Sequence, residues 1–187
     1  MKGKLIIIAG PSASGKTELV KRLIVEMPNS ARLITTTTRQ PRLGENNDYF
    51  FINRTEFEEG IRNGDFFEYA EVYGNLYGVS KKVLATFMEK YEHVFSITDV
   101  QGTQTLKSRI PEALTLFIKP DSIDDIRRRI LKERGDIPSV ELEKRLETAS
   151  YEISQAPAFD VVIDNKEGKF EEMVQNVIEV LKDDGPR

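Results

Sequence analysis

The chain has 187 residues, with 27 lysines and arginines, 31 aspartates and glutamates, one histidine and no cysteine or tryptophan, so its formal charge is −4. This mildly acidic balance gives no reason to expect a nucleic-acid partner or a membrane-surface partner. The lack of cysteine excludes disulfides, thiolate nucleophiles and cysteine-ligated metals, and one histidine excludes multi-histidine metal sites. The apolar run at residues 5–9 is far shorter than the roughly 20 residues that span a bilayer. We expect one cytoplasmic domain whose chemistry uses charged and hydroxyl side chains and backbone amides.

Strand-like and helix-like segments alternate along the chain. Four β-branched and aliphatic runs are typical of strands buried in a parallel sheet, at residues 5–9, 94–98, 114–118 and 161–163. Apolar residues at helical spacing lie between and after these runs. The alternation predicts an α/β fold, a parallel sheet with helices on both faces.

Two stretches depart from this alternation. Residues 35–80 are rich in aromatics and glycines and contain one short helix, for which Thr55 and Glu58 give a capping-box pattern, so they predict a small α+β insertion. Residues 127–155 begin with a basic segment, broken by glycine and proline, and continue as a helix, which predicts a hinged lid. The predicted core of the single domain is made of residues 1–34, 81–126 and 156–187.

The strongest motif is a phosphate-binding loop. Residues 10–17 match GxxxxGK[ST] in full, directly after a predicted strand and at the start of a predicted helix. Gly10 and Gly15 allow the backbone to turn successive N–H groups toward a phosphate. Lys16 can reach the transferred phosphate, and the Thr17 hydroxyl can ligate Mg²⁺. The alternative is an ordinary glycine-containing turn, which the complete motif in this context disfavours. The predicted ATP-binding residues are Gly10, Pro11, Ser12, Ala13, Ser14, Gly15, Lys16 and Thr17.

A second cluster indicates the acceptor of the phosphate. Arg39 and Arg42 lie three residues apart around a proline, which suits bidentate contacts to a phosphate dianion, although an isolated pair of this kind is more often a solvated turn. Tyr49 and Tyr77 can add hydroxyl donors. Asp99 ends an apolar strand, from which it can reach Mg²⁺ directly or through water, or only cap the next turn.

The motifs around these residues resemble those of guanylate kinases. The resembling runs are GPSASGKT at 10–17, TTTRQPRLGE at 36–45, FEYAEVYGNLYG at 67–78 and DVQG at 99–102, in the order of that family. The resemblance covers essentially the whole chain. It implies a P-loop kinase fold. It also implies an enzyme that transfers the γ-phosphate of ATP to GMP, and to dGMP, in purine metabolism, with Mg²⁺ as cofactor. Whether the protein is a monomer or a homodimer stays open.

The resemblance also implies a role for individual acceptor-site residues. Those that grip the GMP phosphate are Arg39, Arg42, Tyr49 and Tyr77. The resemblance implies that Glu68 binds guanine, and a carboxylate suits this task because guanine presents two adjacent donors, N1–H and the exocyclic amine, whereas adenine has no donor at N1. The alternative for Glu68 is a surface carboxylate on a strand. The other positions implied in the GMP site are Thr35, Glu45, Gly78, Val79 and Asp99.

Phosphate-closing arginines are implied in the lid. The resemblance places two of them at Arg134 and Arg145, where they would stabilise charge in the transition state. A third candidate is one of Arg127, Arg128 and Arg129, among which the sequence does not choose. The predicted catalytic residues are Lys16, Arg39, Arg134 and Arg145.

The sequence departs from the family pattern near the base and the metal. Val79 replaces a usual serine or threonine, Ile97 replaces a usual aspartate, and the loop between Glu45 and Tyr49 is about two residues short. Ala13 replaces a common glycine, which we expect to be tolerated if its φ is negative. Two alternatives therefore stay open: a kinase of altered monophosphate specificity or reduced activity, and a non-catalytic guanylate-kinase-like binding module, which the complete phosphate loop disfavours.

Overall fold

The computed structural model describes residues 3–41, 49–72, 74–135 and 137–183. Its strands are β1 (Lys4–Ala9), β2 (Ser30–Arg32), β3 (Thr35–Thr37), β4 (Tyr49–Phe51), β5 (Phe66–Val72), β6 (Asn75–Ser80), β7 (His93–Ile97), β8 (Leu114–Pro120) and β9 (Val161–Asn165). Its helices are α1 (Lys16–Glu26), α2 (Arg54–Arg62), α3 (Lys81–Lys90), α4 (Val100–Arg109), α5 (Ile123–Arg134), α6 (Ser139–Ser154) and α7 (Phe170–Asp183).

A parallel sheet forms the centre of the molecule, with strand order β2-β7-β1-β8-β9. The four predicted strands are confirmed as β1, β7, β8 and β9. The sequence did not predict β2, because three residues are too few to show a hydrophobic run. Successive side chains of β1 point to opposite faces, so Ile6 and Ile8 pack toward α1 and α7, and Leu5 and Ile7 pack toward α3 and α4.

Parallel strands place their carboxyl ends at one edge of the sheet, and ligands of α/β proteins bind at that edge. The loop after β1 begins at Gly10, and the segment after β7 contains Asp99. Asn165 is the last residue of β9. Residues that are distant in sequence are therefore brought to the same edge of the molecule.

Residues 35–80 form a second sheet of mixed direction, with order β4-β3-β6-β5. β3 and β4 are parallel, and β6 is antiparallel to both β3 and β5. The stacked rings of Phe57 and Phe66, with centroids 4.4 Å apart, anchor α2 on this sheet. The predicted α+β character of the insertion agrees with this arrangement, and its boundaries stay a prediction.

The predicted start of the short helix is wrong by two residues. The residue that caps α2 is Asn53, whose side chain accepts a hydrogen bond from Glu56 N at 2.8 Å while the Glu56 carboxylate accepts one from Asn53 N at 3.1 Å. Thr55 therefore lies inside the helix. The two pairs have the same three-residue spacing, and the sequence alone could not choose between them.

Helices α5 and α6 pack against each other beside the phosphate loop. They are joined by a small apolar cluster, against which Ala13 of the loop also packs. The buried members are Ile126, Ile130, Leu142, Leu146 and Ala149. The limits of the predicted lid, 127–155, stay a prediction. In the part of the chain that the structure describes, no helix is long and apolar enough to cross a membrane.

Candidate active site

The turn between β1 and α1 has the backbone geometry of a phosphate cradle. Gly10 and Gly15 adopt φ values of 144° and 90°, which favour glycine. A Cβ on Gly10 would lie 2.4 Å from the carbonyl oxygen of Ile118, and a Cβ on Gly15 would lie 2.8 Å from Nδ2 of Asn165. Residues of the neighbouring strands β8 and β9 therefore lie so close to the two ends of the loop that only glycine fits at positions 10 and 15.

Lys16 folds back over this loop. Its Nζ donates hydrogen bonds to the carbonyl oxygens of Gly10 and Pro11, both at 2.6 Å, and lies 3.4 Å from Oγ of Ser14. The ammonium group is thus held beside the N-terminus of α1, where the helix dipole also favours an anion. Thr17, the next residue, stands in the first turn of α1.

Asn165 braces the loop from the sheet. It is 5% exposed, and its Nδ2 donates a hydrogen bond of 2.8 Å to the carbonyl oxygen of Ser14. The sequence analysis did not identify this residue. The available signal was a polar residue at the carboxyl end of a predicted strand, the edge where ligands bind.

Ala13 adopts φ 60°, so the condition of a negative φ, under which its replacement of a glycine is tolerated, is not met. It is the one non-glycine residue with positive φ among the residues that the structure describes. The left-handed conformation crowds Cβ against the following carbonyl and costs roughly 1–2 kcal/mol. Packing of the methyl group against the α5–α6 cluster offsets part of this strain.

We expect Ala13→Gly to be much better tolerated than the same change in a helix. Relief of the strain should offset the lost methyl contact and the added chain entropy, so the free energy of unfolding should change by less than about 0.5 kcal/mol. Ala85→Gly, at an exposed site inside α3, should cost about 1 kcal/mol. Urea unfolding of both variants measures the difference, and equal losses would contradict a strained Ala13.

The lid arginines have different partners. Arg129 donates to the carbonyl oxygens of Ala13, at 3.4 Å, and Asn165, at 3.2 Å, so it is the one of the three candidates whose guanidinium contacts the phosphate loop. Arg128 pairs instead with Asp125 and Glu167.

The two arginines to which the resemblance gives a lid role stay predictions. Arg145 is 20% exposed and pairs with Glu141, through contacts of 3.0 and 2.7 Å, on its own helix. These contacts use Nε and Nη2 of the guanidinium, which has five N–H donors in all, so they leave its predicted phosphate contact possible. The side chain of Arg134 lies outside the described part of the chain.

Glu152 brings a carboxylate from α6 to the phosphate loop. Burial raises its pKa to about 7, the Lys16 ammonium opposes this rise, and the Asp99 carboxylate adds to it. The three charges are therefore close enough to act on one another. The sequence analysis missed Glu152, although it lies seven residues after Arg145 and hence on the same helix face.

Three of the predicted phosphate-gripping residues come together in the insertion. The Arg39 guanidinium lies 5.3 Å from the ring centre of Tyr49, and the rings of Tyr49 and Tyr77 meet edge to face at 6.1 Å. Arg39 also donates to the carbonyl oxygen of Gln40 at 2.8 Å. The cluster combines one cation with two phenol hydroxyls, a donor set that suits a phosphate. Arg42 and Glu45 lie outside the described residues.

Glu68 and Asp99 share a cavity of about 210 Å³ between β5 and α4. Burial raises the pKa of Glu68 to about 7, the Asp99 carboxylate adds to the rise, and Arg109 opposes it. Asp99 also caps α4, because its Oδ1 accepts a hydrogen bond of 2.6 Å from Gly102 N. Its capping role and a role in the site are therefore compatible, since a carboxylate has a second oxygen.

The remaining predicted GMP-site residues lie on the strands behind this cavity. Thr35 is half-buried at the start of β3, opposite Tyr49. Gly78 is buried in β6. Val79 is 1% exposed and packs in the core with Leu5 and Ile7. Its side chain fills the core and supplies no hydrogen-bond donor.

The oxygen donors at the phosphate loop suit Mg²⁺. The Thr17 hydroxyl and the Asp99 carboxylate are hard ligands of the kind that this ion prefers. Within the described residues no three His, Cys, Asp or Glu side chains cluster as a cage, so phosphate oxygens and water would have to supply the remaining ligands. The residues present therefore fit a metal that arrives with a nucleotide.

A groove of about 510 Å³ adjoins the phosphate loop. Ala13 and Gly15 of the loop line it, together with Arg129 and Asn165. The groove is therefore an open space directly beside the phosphate loop, where the rest of a bound nucleotide can lie.

The phosphate loop on the central strand of a parallel sheet, with a helical pair beside it, defines a P-loop kinase. The sequence model of the guanylate kinase family matches residues 2–184. A guanylate kinase of Bdellovibrio bacteriovorus is 38% identical over 185 residues, 95% of this chain and 100% of the relative. One of Hahella chejuensis is 40% identical over 166 residues, 88% of this chain and 79% of the relative. The crystal structure of guanylate kinase from Anaplasma phagocytophilum superposes with a TM-score of 0.74 at 29% identity, over 99% of this chain and 87% of that one.

The chain therefore belongs to the guanylate kinase family, whose members are ATP-dependent nucleoside monophosphate kinases. The predicted family, the α/β P-loop kinase fold and the predicted enzyme class are confirmed. The roles of individual site residues stay predictions.

Proposed function

We propose that this protein transfers the γ-phosphate of ATP to GMP, and to dGMP, giving ADP and GDP or dGDP. The observation that carries the proposal is the placement of a half-buried carboxylate, Glu68, in a small cavity that Asp99 also lines. An ionised carboxylate accepts both N1–H and the amine of guanine, and adenine would leave that half-buried charge unpaired. This pairing supports guanine over other bases as the acceptor.

On the donor side, the loop from Gly10 to Thr17 binds the ATP phosphates through its backbone N–H groups and Lys16. The groove beside it, which Arg129 and Asn165 line, accommodates the nucleoside half. A bound Mg²⁺ would be held by Thr17 and Asp99 and would neutralise phosphate charge. A cytoplasmic location and a monomeric or homodimeric state stay predictions from the sequence.

On the acceptor side, Arg39, Tyr49 and Tyr77 hold the phosphate of GMP. An oxygen of this phosphate attacks the γ-phosphorus, a new P–O bond forms, and the bond to the bridging oxygen breaks so that ADP leaves with the electron pair. The attacking oxygen is already ionised, so no general base is needed. The protein contributes alignment and cationic charge from Lys16 and the arginines.

Two other functions need different behaviour from the same residues. A kinase for another monophosphate, or a slower enzyme, is suggested by the apolar side chains of Val79 and Ile97. A non-catalytic binding module would not need the strained phosphate loop with Lys16 bonded across it. Measured turnover of GMP and of other nucleoside monophosphates distinguishes both alternatives from the proposed function.

We expect ADP release with Mg-ATP to be fastest with GMP and dGMP in a panel that also contains AMP, CMP, UMP and IMP. A coupled assay at pH 8 measures it. Faster turnover of another monophosphate would contradict guanine recognition by Glu68. Binding of ATP without turnover of any acceptor would point to the binding module.

A further inference from the structure

Helix α4 presents one polar stripe to the cavity that contains Glu68. Gln101, Thr105 and Arg109 recur every fourth residue and all line it. Asp99, the N-terminal cap of α4, lines the same cavity, and Arg109 is the last residue of the helix. The cavity therefore has an anionic end and a cationic end along one helix.

Glu68 lies between these two ends. A Cβ on Gly102 would lie 3.2 Å from Oδ1 of Asp99 and 3.6 Å from Oε2 of Glu68, so these carboxylates flank the first turn of α4. The guanidinium of Arg109 donates a hydrogen bond to the carbonyl oxygen of Phe67, the residue before Glu68. The resulting order of charges is negative, negative and positive, from Asp99 through Glu68 to Arg109.

The polar edge of guanine has a matching order. The amine on C2 and N1–H are adjacent donors, and O6 is an acceptor next to N1, with N7 beyond it. Adenine places an amine donor where guanine has O6. A guanidinium at this end would therefore attract guanine and repel adenine, and an arginine that contacts O6 and N7 together is a common way to read guanine.

We propose that Arg109 is a base-specificity residue, whose guanidinium donates to O6 of guanine while Glu68 accepts from N1–H and the amine. The proposal rests on the proposed function. Among the described residues that line the cavity, Arg109 is the one cation. Its contact with Phe67 leaves donors for a ligand, because a guanidinium has five N–H groups.

The test combines a change in the protein with a change in the substrate. Values of kcat/KM are measured for GMP and for 6-thio-GMP, in which a weakly accepting sulfur replaces O6, with the wild type, Arg109→Leu and Arg109→Lys. The matched control is Arg62→Leu, which removes an exposed arginine from the last turn of α2. Thermal melts show whether each variant is folded.

The wild type should prefer GMP over 6-thio-GMP by about tenfold, and Arg62→Leu should keep this ratio. Arg109→Leu should lower kcat/KM for GMP by roughly 10- to 100-fold and bring the ratio close to one. Arg109→Lys should retain part of the preference, and it serves as the test if Arg109→Leu does not fold.

Equal losses for both substrates would overturn the proposal, since they would show that Arg109 only ties α4 to β5. A wild type that does not distinguish the two substrates would overturn it as well. In both cases GMP turnover itself would persist. A wild type without GMP turnover would overturn the proposed function and this inference together.

Discussion

Glu68→Gln should lower kcat/KM for GMP by about 10³-fold or more and change the affinity for ATP by less than about twofold. The glutamine amide presents a donor where the carboxylate presented an acceptor, so one of the two guanine N–H groups would face another N–H. Glu71→Gln, on the same strand but exposed, is the matched control and should leave turnover unchanged. Steady-state kinetics with GMP and ATP titrations measure the effect. A loss below tenfold would contradict base recognition by Glu68.

The same substitution should make the protein more stable at pH 8. The pKa of Glu68 is raised from 4.5 to about 7 in the folded protein, chiefly by burial. The folded state therefore holds the proton more tightly than the unfolded chain, so this carboxyl lowers stability progressively between those two pH values and by its full amount above pH 7. Its removal should raise the free energy of unfolding by about 1–3 kcal/mol at pH 8 and by much less at pH 5.

The opposite signs of these two effects distinguish a binding residue from a structural one. A carboxylate that lowers the free energy of unfolding and is nevertheless needed for turnover of GMP serves to recognise that substrate, not to stabilise the fold. Titration of Glu68 by carbon NMR, assigned with Glu68→Gln, should give a midpoint near the pKa of about 7. A midpoint near 4.5 would contradict both the burial argument and the predicted gain in stability.

Local patterns in the sequence predicted the parts of the fold and site that depend on neighbours in sequence. The phosphate loop is one continuous motif, and the strands of the central sheet are long apolar runs. The grouping of Arg39 with Tyr49 and Tyr77 agrees with the resemblance to the family, because strand pairing in the insertion brings these positions together.

Long-range contacts determine the features that the sequence did not predict. Asn165 braces a loop that lies 151 positions earlier in the chain, at Ser14, and nothing in the local sequence indicates that contact. Arg129, and not Arg127 or Arg128, donates hydrogen bonds to the carbonyl oxygens of Ala13 and Asn165, and this depends on how α5 is rotated about its axis relative to the loop. The positive φ of Ala13 likewise follows from the path of the loop, not from the preference of alanine.

Lys16→Met should lower kcat by about 10²–10³-fold and leave the protein folded. Two hydrogen bonds of 2.6 Å hold Nζ across the loop, and under the proposed function this ammonium would stabilise the charge that develops on the transferred phosphate. Methionine retains the apolar stem and removes only the charge and its donors. Lys21→Met, an exposed site on the same helix, is the matched control and should keep wild-type turnover.

Single-turnover measurements at saturating ATP separate phosphate transfer from binding. A slower transfer step with bound ATP would show that Lys16 acts on the transition state, whereas weaker ATP binding with an unchanged transfer step would show that it only anchors the donor.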